Sequence, residues 1–404
     1  MIESADVVVI GAGAFGASVA FHLVKLGMRR IALLDKYDLA SQTSPRAAGL
    51  SSQVRSTELM TQLAIMGVRG IEHFTEETGE PMVFYRSGSL KIARTPEHKE
   101  QLRQEVEHGR HARLDIDFIS LAEAHRLTPF LEPTGIQAIT YSPSDLYLEP
   151  AQLPLGYARA AARLGATLLP NTAVTGFLLR GGAVEGVVTD HGEIRTPIIV
   201  DAAGAWARLL GEMASLRVPI VPTRHQLMIT EPITGVSAEQ PIVRIIDANV
   251  YIRPEEGGLM LGGYESDPVQ YDMDALPVDF QIKDLKLDMN VIQRLADSII
   301  DQFPVFRDFQ VREHRGGLPT MTADEQHIVG PVPGLQGFFI AGGCCVGGLS
   351  IAPAIGAVLA EWIVSGQAPL ALSPLAPGRF GSGYDSDERL KERCRWLYAH
   401  HYSS

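Results

Sequence analysis

The first apolar run of the chain predicts a strand, a turn, a helix and a second strand. In "DVVVIGAGAFGASVAFHLVKLGMRRIALLDK", two short continuous apolar stretches flank a segment with apolar residues at helical spacing. Gly11, Gly13 and Gly16 supply the G-x-G-x-x-G spacing before the helix, and Asp35 closes the second strand. Such glycines permit a tight turn, close approach to a pyrophosphate and close helix packing, while the acid can bind a ribose hydroxyl. The pattern therefore predicts a dinucleotide-binding unit.

The pattern further along the chain predicts a second sheet and several helices. Strand-like stretches occur in "PTRHQLMITE", "NVYIRPEEGGLMLGGYE" and "FQVREHRGGLPTM", and "PMVFYRSGSLKIAR" alternates like a hairpin. Polar-faced helices are predicted in "RGIEHFTEETG" and "PEHKEQLRQEVEHGR", and a helix followed by a strand in "LPLGYARAAARLGATLLPNTAVTGF". From Ser373 onward the chain looks like a polar tail with one short helix around "DERLKERCRWLYAHHY".

The late stretch "FFIAGGCCVGGLSIAPAIGAVLAEWI" has the length of a membrane span, but its pattern favours a strand, a tight loop and a helix. Its glycines and Pro353 would interrupt a spanning helix and leave backbone groups unsatisfied in lipid. We therefore predict no membrane span, and a helix with Pro353 near its start and Gly366 at its end. Cys344 and Cys345 lack the spacing of a metal or redox pair, so they are interpreted as small buried thiols and no metal site is predicted.

Composition narrows the classes of partner and compartment. Over 404 residues the formal net charge is −12, which disfavours binding to nucleic acid or to an anionic lipid surface. The length allows two or three domain-sized cores. Three cysteines do not make a disulfide framework, and the first apolar run has no basic segment before it and no cleavage site after it. We therefore expect a cytoplasmic location.

Three small-residue stretches, "SQTSPRAAGLSSQVRS", "IIVDAAGAWARLLG" and "GFFIAGGCCVGG", could let the backbone approach one extended ligand, which favours FAD over NAD. With the N-terminal unit, they resemble the D-amino-acid-oxidase-type FAD oxidoreductases, within them the sarcosine and dimethylglycine dehydrogenase and oxidase branch. The most specific match is "YIRPEEGGLMLGGYE" followed by "TADEQHIVGPVPG", and the similarity covers about residues 5–370.

The resemblance implies an α/β fold of mixed α+β character. It has a Rossmann-type FAD-binding domain and a discontinuous substrate domain on a mixed, largely antiparallel sheet. The FAD-binding domain is predicted to comprise residues 1–78, 146–222 and 326–372. The substrate domain is predicted to comprise residues 79–145 and 223–325, and a C-terminal extension residues 373–404.

The resemblance also implies FAD-dependent oxidation of the C–N bond of a secondary or N-methylated amino acid such as sarcosine, dimethylglycine or a proline-like compound. Hydride transfer to flavin N5 would give an imine that hydrolyses, and the amine must be neutral so that its lone pair assists hydride departure. Two alternatives stay open: oxidation of a 2-hydroxy acid or a polyol phosphate, and a flavin subunit of a hetero-oligomeric dehydrogenase. The expected partner is a small-molecule amine, while a partner subunit or electron acceptor and the oligomeric state are left open.

Candidate site residues follow from the same resemblance. His225, expected to titrate near neutral pH, and Tyr251 are the catalytic candidates, and Arg55 is expected to bind the substrate carboxylate. Arg253 is a second carboxylate candidate, because strand alternation puts it on the same face as Tyr251. The predicted FAD contacts lie in the glycine-rich turns and their flanks: Gly11, Ala12, Gly13, Phe15, Gly16, Asp35, Lys36, Ser44, Arg46, Ala48, Gly49, Leu50, Val174, Ala203, Gly204, Trp206, Gly343, Gly347, Gly348, Leu349 and Ser350.

Four positions depart from the pattern of these relatives. Arg46 stands where the sarcosine dehydrogenase type attaches FAD through a histidine, and Gly317 where the monomeric sarcosine oxidase type attaches it through a cysteine. FAD is therefore predicted to be bound non-covalently. Met260 stands in place of a lysine that assists oxygen reduction, which predicts a dehydrogenase or a poor oxidase. Ser350 stands in place of a carboxylate-binding lysine, so the carboxylate anchor stays open.

Overall fold

A six-stranded sheet forms the first layer of the protein. The computed structural model describes residues 2–403. Five strands of this sheet pair in parallel, and one edge strand is antiparallel to its neighbour. The spatial order is Ile328–Pro331, Phe338–Gly342, Ile199–Asp201, Val7–Ile10, Ile31–Leu34 and Thr167–Leu169. Continuous apolar runs such as "VVVI" form these strands because both faces of the sheet are covered.

An eight-stranded sheet forms the second layer. Every neighbouring pair is antiparallel except Ile242–Ile245 with Ser89–Ala93, so the predicted mixed, largely antiparallel sheet is confirmed. The order is Val311–Gly317, His225–Thr230, Gly258–Gly263, Val250–Glu255, Ile242–Ile245, Ser89–Ala93, Ala138–Ser142 and Asp117–Phe118. Its strands come from segments 79–145 and 223–325, and those of the six-stranded sheet from the other three segments before residue 373. The domain limits themselves stay a prediction.

The predicted hairpin in "PMVFYRSGSLKIAR" is wrong, because its two strands join different sheets. Phe84–Tyr85 pairs with Leu146–Leu148, which also pairs with Leu50–Ser51 in a small three-stranded sheet. Gly88 turns the chain in between with a φ of 75°, a conformation that favours glycine. Ser89–Ala93 then has a partner on each edge in the eight-stranded sheet, so neither edge remains for a hairpin.

The helix Gly348–Ser365 lies at the centre of the six-stranded layer. It packs against helices Ala14–Lys25 and Glu58–Glu72. By length and composition it could cross a membrane, but most of it is buried inside the protein. The helix begins five residues before Pro353, because the buried Leu349 and Ile351 extend its apolar face toward the N-terminus. Pro353 therefore lies inside the helix, and the prediction that Pro353 stands near the helix start is wrong. The predicted end at Gly366 is confirmed, with a φ of 77°.

The segment after Ser373 is not a polar tail. Its helix Asp387–Ala399 buries Leu390, Cys394, Leu397 and Tyr398, which share one face at helical spacing.

The helix predicted in "RGIEHFTEETG" is the end of Glu58–Glu72 followed by a separate short helix, with a break at His73. The remaining helices are Phe74–Thr78, Pro96–His111, Leu121–Leu127, Gln152–Arg163, Ala207–Met213 and Met289–Asp297; the remaining strands are Val174–Arg180, Ala183–Thr189, Gly192–Arg195, Val221–Pro222 and Thr320–Met321.

Candidate active site

A cavity of about 1000 Å³ extends from the glycine turn at Gly11 to the face of the eight-stranded sheet at Tyr251. Its size is at the upper end of small-molecule and cofactor sites. Twenty-one of the predicted site residues line it: Gly11, Gly13, Phe15, Asp35, Lys36, Ser44, Arg46, Ala48, Gly49, Leu50, Arg55, Val174, Ala203, Gly204, Trp206, His225, Tyr251, Gly347, Gly348, Leu349 and Ser350.

Four predicted site residues are absent from the cavity wall, and three of them support it from behind. Ala12 is fully buried, and its backbone N–H donates to the Asp35 carboxylate at 2.7 Å. A Cβ on Gly16 would lie 1.8 Å from the carbonyl oxygen of Gly11, so this glycine permits close packing of helix and turn. Gly343 faces Thr322, whose methyl group would lie 2.7 Å from a Cβ. The fourth residue, Arg253, is described below.

The glycine turn is shaped to bring backbone close to a ligand. Gly11 has a φ of 101°, and a Cβ there would lie 2.5 Å from the carbonyl oxygen of Ala202. The helix Ala14–Lys25 begins directly after the turn, so its N-terminal N–H groups and dipole favour an anion at this end of the cavity. Asp35 accepts hydrogen bonds from the backbone of Ala12 and Tyr37, and burial raises its pKa to about 6.

The cavity wall contains buried polar atoms without a partner among residues 2–403. They are Nε of Arg46, Oγ of Ser52, Nε of Arg55 and both ring nitrogens of His327. Buried polar groups are almost always hydrogen-bonded in folded proteins, so unpaired donors and acceptors around one cavity indicate a polar ligand. With the glycine turn at one end, these residues fit FAD. Sequence reasoning missed His327, because a single histidine before the apolar residues of "TADEQHIVG" carries no recognisable pattern.

A chain of three side chains controls hydrogen bonding at the sheet end of the cavity. Tyr398 Oη donates to the carbonyl oxygen of Arg224 at 2.9 Å and lies 2.7 Å from Nδ1 of His225. Because its one proton is already donated, Tyr398 accepts from His225, which places the imidazole proton on Nδ1. Nε2 of His225 is then an acceptor and takes the proton of Tyr251 Oη at 3.0 Å. The Tyr251 oxygen therefore offers only lone pairs to a ligand in the cavity.

His225 is neutral in this arrangement. Burial, with a smaller contribution from the charge of His401, lowers its pKa to about 3. The expectation that it titrates near neutral pH is therefore wrong, because desolvation of the imidazolium outweighs any stabilisation within the chain of hydrogen bonds. His225 can orient the Tyr251 hydroxyl, but it cannot take up a second proton at physiological pH.

Two arginines present positive charge to the same part of the cavity. Arg55 donates to Oγ of Ser350 at 2.9 Å, and its pKa is lowered by burial and by the charge of Arg244. Arg224 pairs with the buried Glu265 and Arg253 with the partly buried Glu255, whereas Arg55 and Arg244 form no ion pair within the described part of the chain. Arg244 was missed by sequence reasoning, since it is a single arginine inside the buried strand "IVRI".

The prediction that Arg253 binds a substrate carboxylate is wrong. Its side chain is 1% exposed, and its guanidinium donates to the carbonyl oxygens of Ala48 (2.7 Å) and Pro254 (2.6 Å) and to Glu255. Strand alternation does put it on the Tyr251 face, but the loop at Ala48 covers it and accepts from its Nε, while Nη2 is buried without a partner among residues 2–403. Arg253 therefore fixes the loop that contains Arg46 and Ala48.

The C-terminal segment completes the wall. His401 and Tyr402 line the cavity, together with Tyr264, whose ring stacks on His401 at 4.1 Å. Asn249 anchors this segment, because its side chain bonds to the backbone of Ala399 and Tyr402. Sequence reasoning missed His401 and Tyr402 because the segment after Ser373 looked like a solvated tail, and it missed Tyr264 at the end of "LMLGGY".

Some of the positions that differ from the relatives line the cavity, and one lies outside it. Gly317 lines the cavity beside Thr43, and Arg46 lines it as described above. Met260 is fully buried in an apolar cluster with Leu227, Ile229 and Tyr251, outside the cavity wall. Within residues 2–403 no group of three metal-binding side chains is assembled.

Cys344 and Cys345 line the cavity, and both are free thiols. Burial raises the pKa of Cys345 well above its usual value, so this thiol is protonated. Cys345 and Val346 have φ values of 42° and 64°, which are uncommon for residues with a side chain. Strained backbone of this kind tends to occur at ligand sites.

Residues 6–362 match the family model described as FAD dependent oxidoreductase. The chain belongs to this family. Membership confirms the predicted fold, the enzyme class and FAD as the cofactor, and it agrees with the fit of the cavity. The prediction that FAD is held non-covalently rests on Arg46 and Gly317.

Individual relatives extend the likeness over the whole chain. Human mitochondrial sarcosine dehydrogenase is 32% identical over 99% of this chain, but the match spans only 44% of the human protein. Sarcosine oxidase subunit beta from Rhodobacter capsulatus is 25% identical over 95% of this chain and 91% of its own length. The crystal structure of L-proline dehydrogenase from P. horikoshii superimposes with a TM-score of 0.86 at 26% identity, covering 95% of this chain and 99% of that one.

Proposed function

We propose that this protein oxidises the C–N bond of a secondary amine that bears a carboxylate. The observation that carries the proposal is the hydrogen-bond chain from Tyr398 through His225 to Tyr251, beside the unpaired Arg55. The names of the relatives support the same class, since they include sarcosine and L-proline dehydrogenases. Bound FAD would supply the hydride acceptor, and the protein must bind the amine and keep it neutral.

The cavity disfavours a protonated amine. Arg55 and Arg244 are positive and unpaired, and His225 is neutral because its pKa is about 3. A cationic amine placed beside them would meet like charge in a partly desolvated site, so its pKa would be lowered. The carboxylate of the same substrate would gain from Arg55, whose planar guanidinium can donate two parallel hydrogen bonds. The site thus favours an anionic substrate with a neutral nitrogen.

The direction of the hydrogen bonds distinguishes secondary from tertiary amines. Tyr251 donates its proton to His225 and can only accept from the substrate. A neutral secondary amine has one N–H to donate to Tyr251, which would orient its lone pair, whereas a neutral tertiary amine has none. We therefore place N-methyl amino acids and cyclic secondary amino acids ahead of N,N-dimethyl compounds as substrates.

Anaerobic loss of the flavin's visible absorbance tests the proposal without assuming an electron acceptor. N-methylglycine and proline should bleach the FAD, while matched 2-hydroxy acids and glycerol 3-phosphate should not. Bleaching by a 2-hydroxy acid and by no amine would refute the proposal and favour the alcohol-oxidising alternative.

We also propose that reduced enzyme reacts slowly with oxygen. Lys91 lines the cavity near Tyr251, but its charge is neutralised by Glu105 at 2.7 Å. Position 260, where relatives have a lysine, holds a buried methionine. A cation beside nascent superoxide assists oxygen reduction. The guanidiniums of Arg55 and Arg244 are assigned to the substrate, and within residues 2–403 no free lysine near Tyr251 adds a further cation. Reoxidation of anaerobically reduced enzyme by air within milliseconds would contradict this.

A flavin subunit of a larger complex is the second candidate, because sarcosine oxidase subunit beta matches over nearly its full length. A purified chain that contains FAD but is inert with every amine until a partner is added would support it. We propose a cytoplasmic location as well, supported by the three free cysteines, and cell fractionation with an antibody tests it.

A further inference from the structure

A row of side chains crosses the eight-stranded sheet away from Tyr251. The strand register places Tyr251 opposite Arg244, Arg244 opposite Lys91, and Lys91 opposite Thr140. Residues opposite one another on neighbouring strands point to the same face, and all four line the cavity. Because neighbouring strands lie about 4.8 Å apart, Arg244 is about 5 Å and Lys91 about 10 Å from Tyr251 along this row.

A polar helix face covers the row. Gln101, Gln104, Glu105 and His108 of helix Pro96–His111 line the cavity, and their spacing puts them on one side of the helix. The helix packs against strands Ser89–Ala93 and Ala138–Ser142. The cavity therefore continues beyond Tyr251 as a chamber with a polar floor and a polar roof, which is costly to bury unless a polar ligand or water occupies it.

The unpaired charge in this chamber is that of Arg244. Lys91 is neutralised by both carboxylate oxygens of Glu105, each at 2.7 Å. Arg244 is 7% exposed, and its neighbour on the cavity wall is the phenol of Tyr402, which carries no charge at neutral pH. Arg55 supplies a second guanidinium without an ion pair, close enough that the charge of Arg244 lowers the pKa of Arg55. The buried Asp145 also lines the cavity and its charge acts on Arg55, but its oxygens accept from Gln53 and Ser89. Neither guanidinium has a carboxylate at ion-pair distance among residues 2–403.

We propose that the substrate carries two carboxylates: one bound by Arg55, and a second, on an arm along the sheet, bound by Arg244. The substrate class is an N-substituted amino dicarboxylate whose nitrogen lies at Tyr251. This inference rests on the proposed amine oxidation and names its substrate class. A dianion with a neutral nitrogen provides one carboxylate for each of the two guanidiniums, and the polar chamber gives the arm room.

Isosteric substrates that differ only in the distal charge provide the test. Anaerobic flavin reduction is measured with N-methylglutamate and with its amide analogue, N-methylglutamine. Wild type should prefer N-methylglutamate in kcat/KM by roughly 10- to 100-fold, the range for one charge-assisted hydrogen-bonded contact, and the difference should lie in KM. Arg244→Gln should abolish this preference, because the distal carboxylate is the group that distinguishes the two substrates.

A second variant should change the preference in the opposite direction. Glu105→Gln leaves the Lys91 ammonium unpaired at the far end of the arm, so KM for N-methylglutamate should fall. Arg103→Gln is the matched control, because Arg103 is a solvent-exposed cation on the same helix, ion-paired with Glu100 and Glu107. Arg103→Gln should leave KM for both substrates unchanged. The FAD absorbance and the melting temperature of each variant show that it is folded.

Binding without turnover separates this inference from the proposed function. Glutarate and butyrate are titrated into oxidised enzyme, and the flavin spectrum reports their dissociation constants. Glutarate should bind at least about tenfold more tightly, and Arg244→Gln should remove the difference. The inference is overturned if N-methylglutamate and N-methylglutamine react alike, or if Arg244→Gln weakens N-methylglycine as much as N-methylglutamate. If no amine bleaches FAD, the proposed function fails, and the glutarate comparison still tests the dicarboxylate site.

Discussion

Gly262→Ala should disable the site by moving Tyr251 without altering any polar residue. The two residues face each other on adjacent strands, and a Cβ at position 262 would lie 2.2 Å from the Tyr251 oxygen and 2.4 Å from its Cζ. Ordinary contact begins near 3.4 Å, so the ring must move by about 1.2 Å (3.4 − 2.2). The hydrogen bond to His225, now 3.0 Å, would then exceed hydrogen-bonding distance.

The expected loss is large for the addition of one methyl group. Displacing a positioning group by about 1 Å can cost roughly 100-fold in rate, and an unsatisfied buried His225 nitrogen costs about 1–3 kcal/mol. We expect Gly262→Ala to slow anaerobic flavin reduction by N-methylglycine about 10- to 100-fold, as Tyr251→Phe should. The double variant should be no slower than either single variant, because both act through one hydrogen bond.

Gly176→Ala is the matched control. Gly176 also lies in a strand, and a Cβ there would meet Val188 at 3.8 Å, an ordinary contact. Its rate of flavin reduction should equal that of wild type. A wild-type rate in Gly262→Ala, with FAD bound and the protein folded, would refute the role assigned to Tyr251.

Three further variants test the cofactor end and the buried charges. Gly11→Ala should purify with little FAD, shown by a lower ratio of 450 nm to 280 nm absorbance, because its φ is 101° and the methyl would contact the Ala202 carbonyl. Arg253→Met should lower the free energy of unfolding by about 1–3 kcal/mol and weaken FAD retention, since it leaves Glu255 with only the more distant Arg315 and frees the Ala48 carbonyl; chemical denaturation measures this change. Burial raises the pKa of Asp201 to about 7, so its contribution to stability is complete below about pH 4 and is lost as pH rises through about 7; Asp201→Asn should therefore reduce the fall in melting temperature between pH 5 and pH 8.

Local patterns were sufficient to predict the cofactor end of the site. The glycine turn at Gly11, the acid at Asp35 and the late strand with its glycine loop are each contiguous in sequence, and their chemistry depends on backbone shape. A strand–turn–helix with a glycine fingerprint has few alternatives, so the sequence alone indicated the ligand.

The substrate end depends on contacts between distant segments, which no local pattern reports. Arg253 and Arg244 both look like single arginines in apolar strands. In the structure the loop at Ala48 covers Arg253, whereas Arg244 lines the cavity. Tyr398 fixes the proton of His225 from 173 positions away, on a helix whose charged residues hid its buried face. The pKa of His225 likewise depends on burial by these segments, so its neutrality could not be predicted.

The central claim is that Tyr251 presents only an acceptor to the substrate nitrogen. The most direct measurement is the limiting rate of anaerobic flavin reduction with N-methylglycine and with N,N-dimethylglycine, in wild type and in Tyr251→Phe. In wild type the secondary amine should react at least about tenfold faster, because it alone can donate an N–H, and in Tyr251→Phe the two rates should converge. Equal or faster reduction by the tertiary amine in wild type, or an unchanged ratio in Tyr251→Phe, would contradict the account.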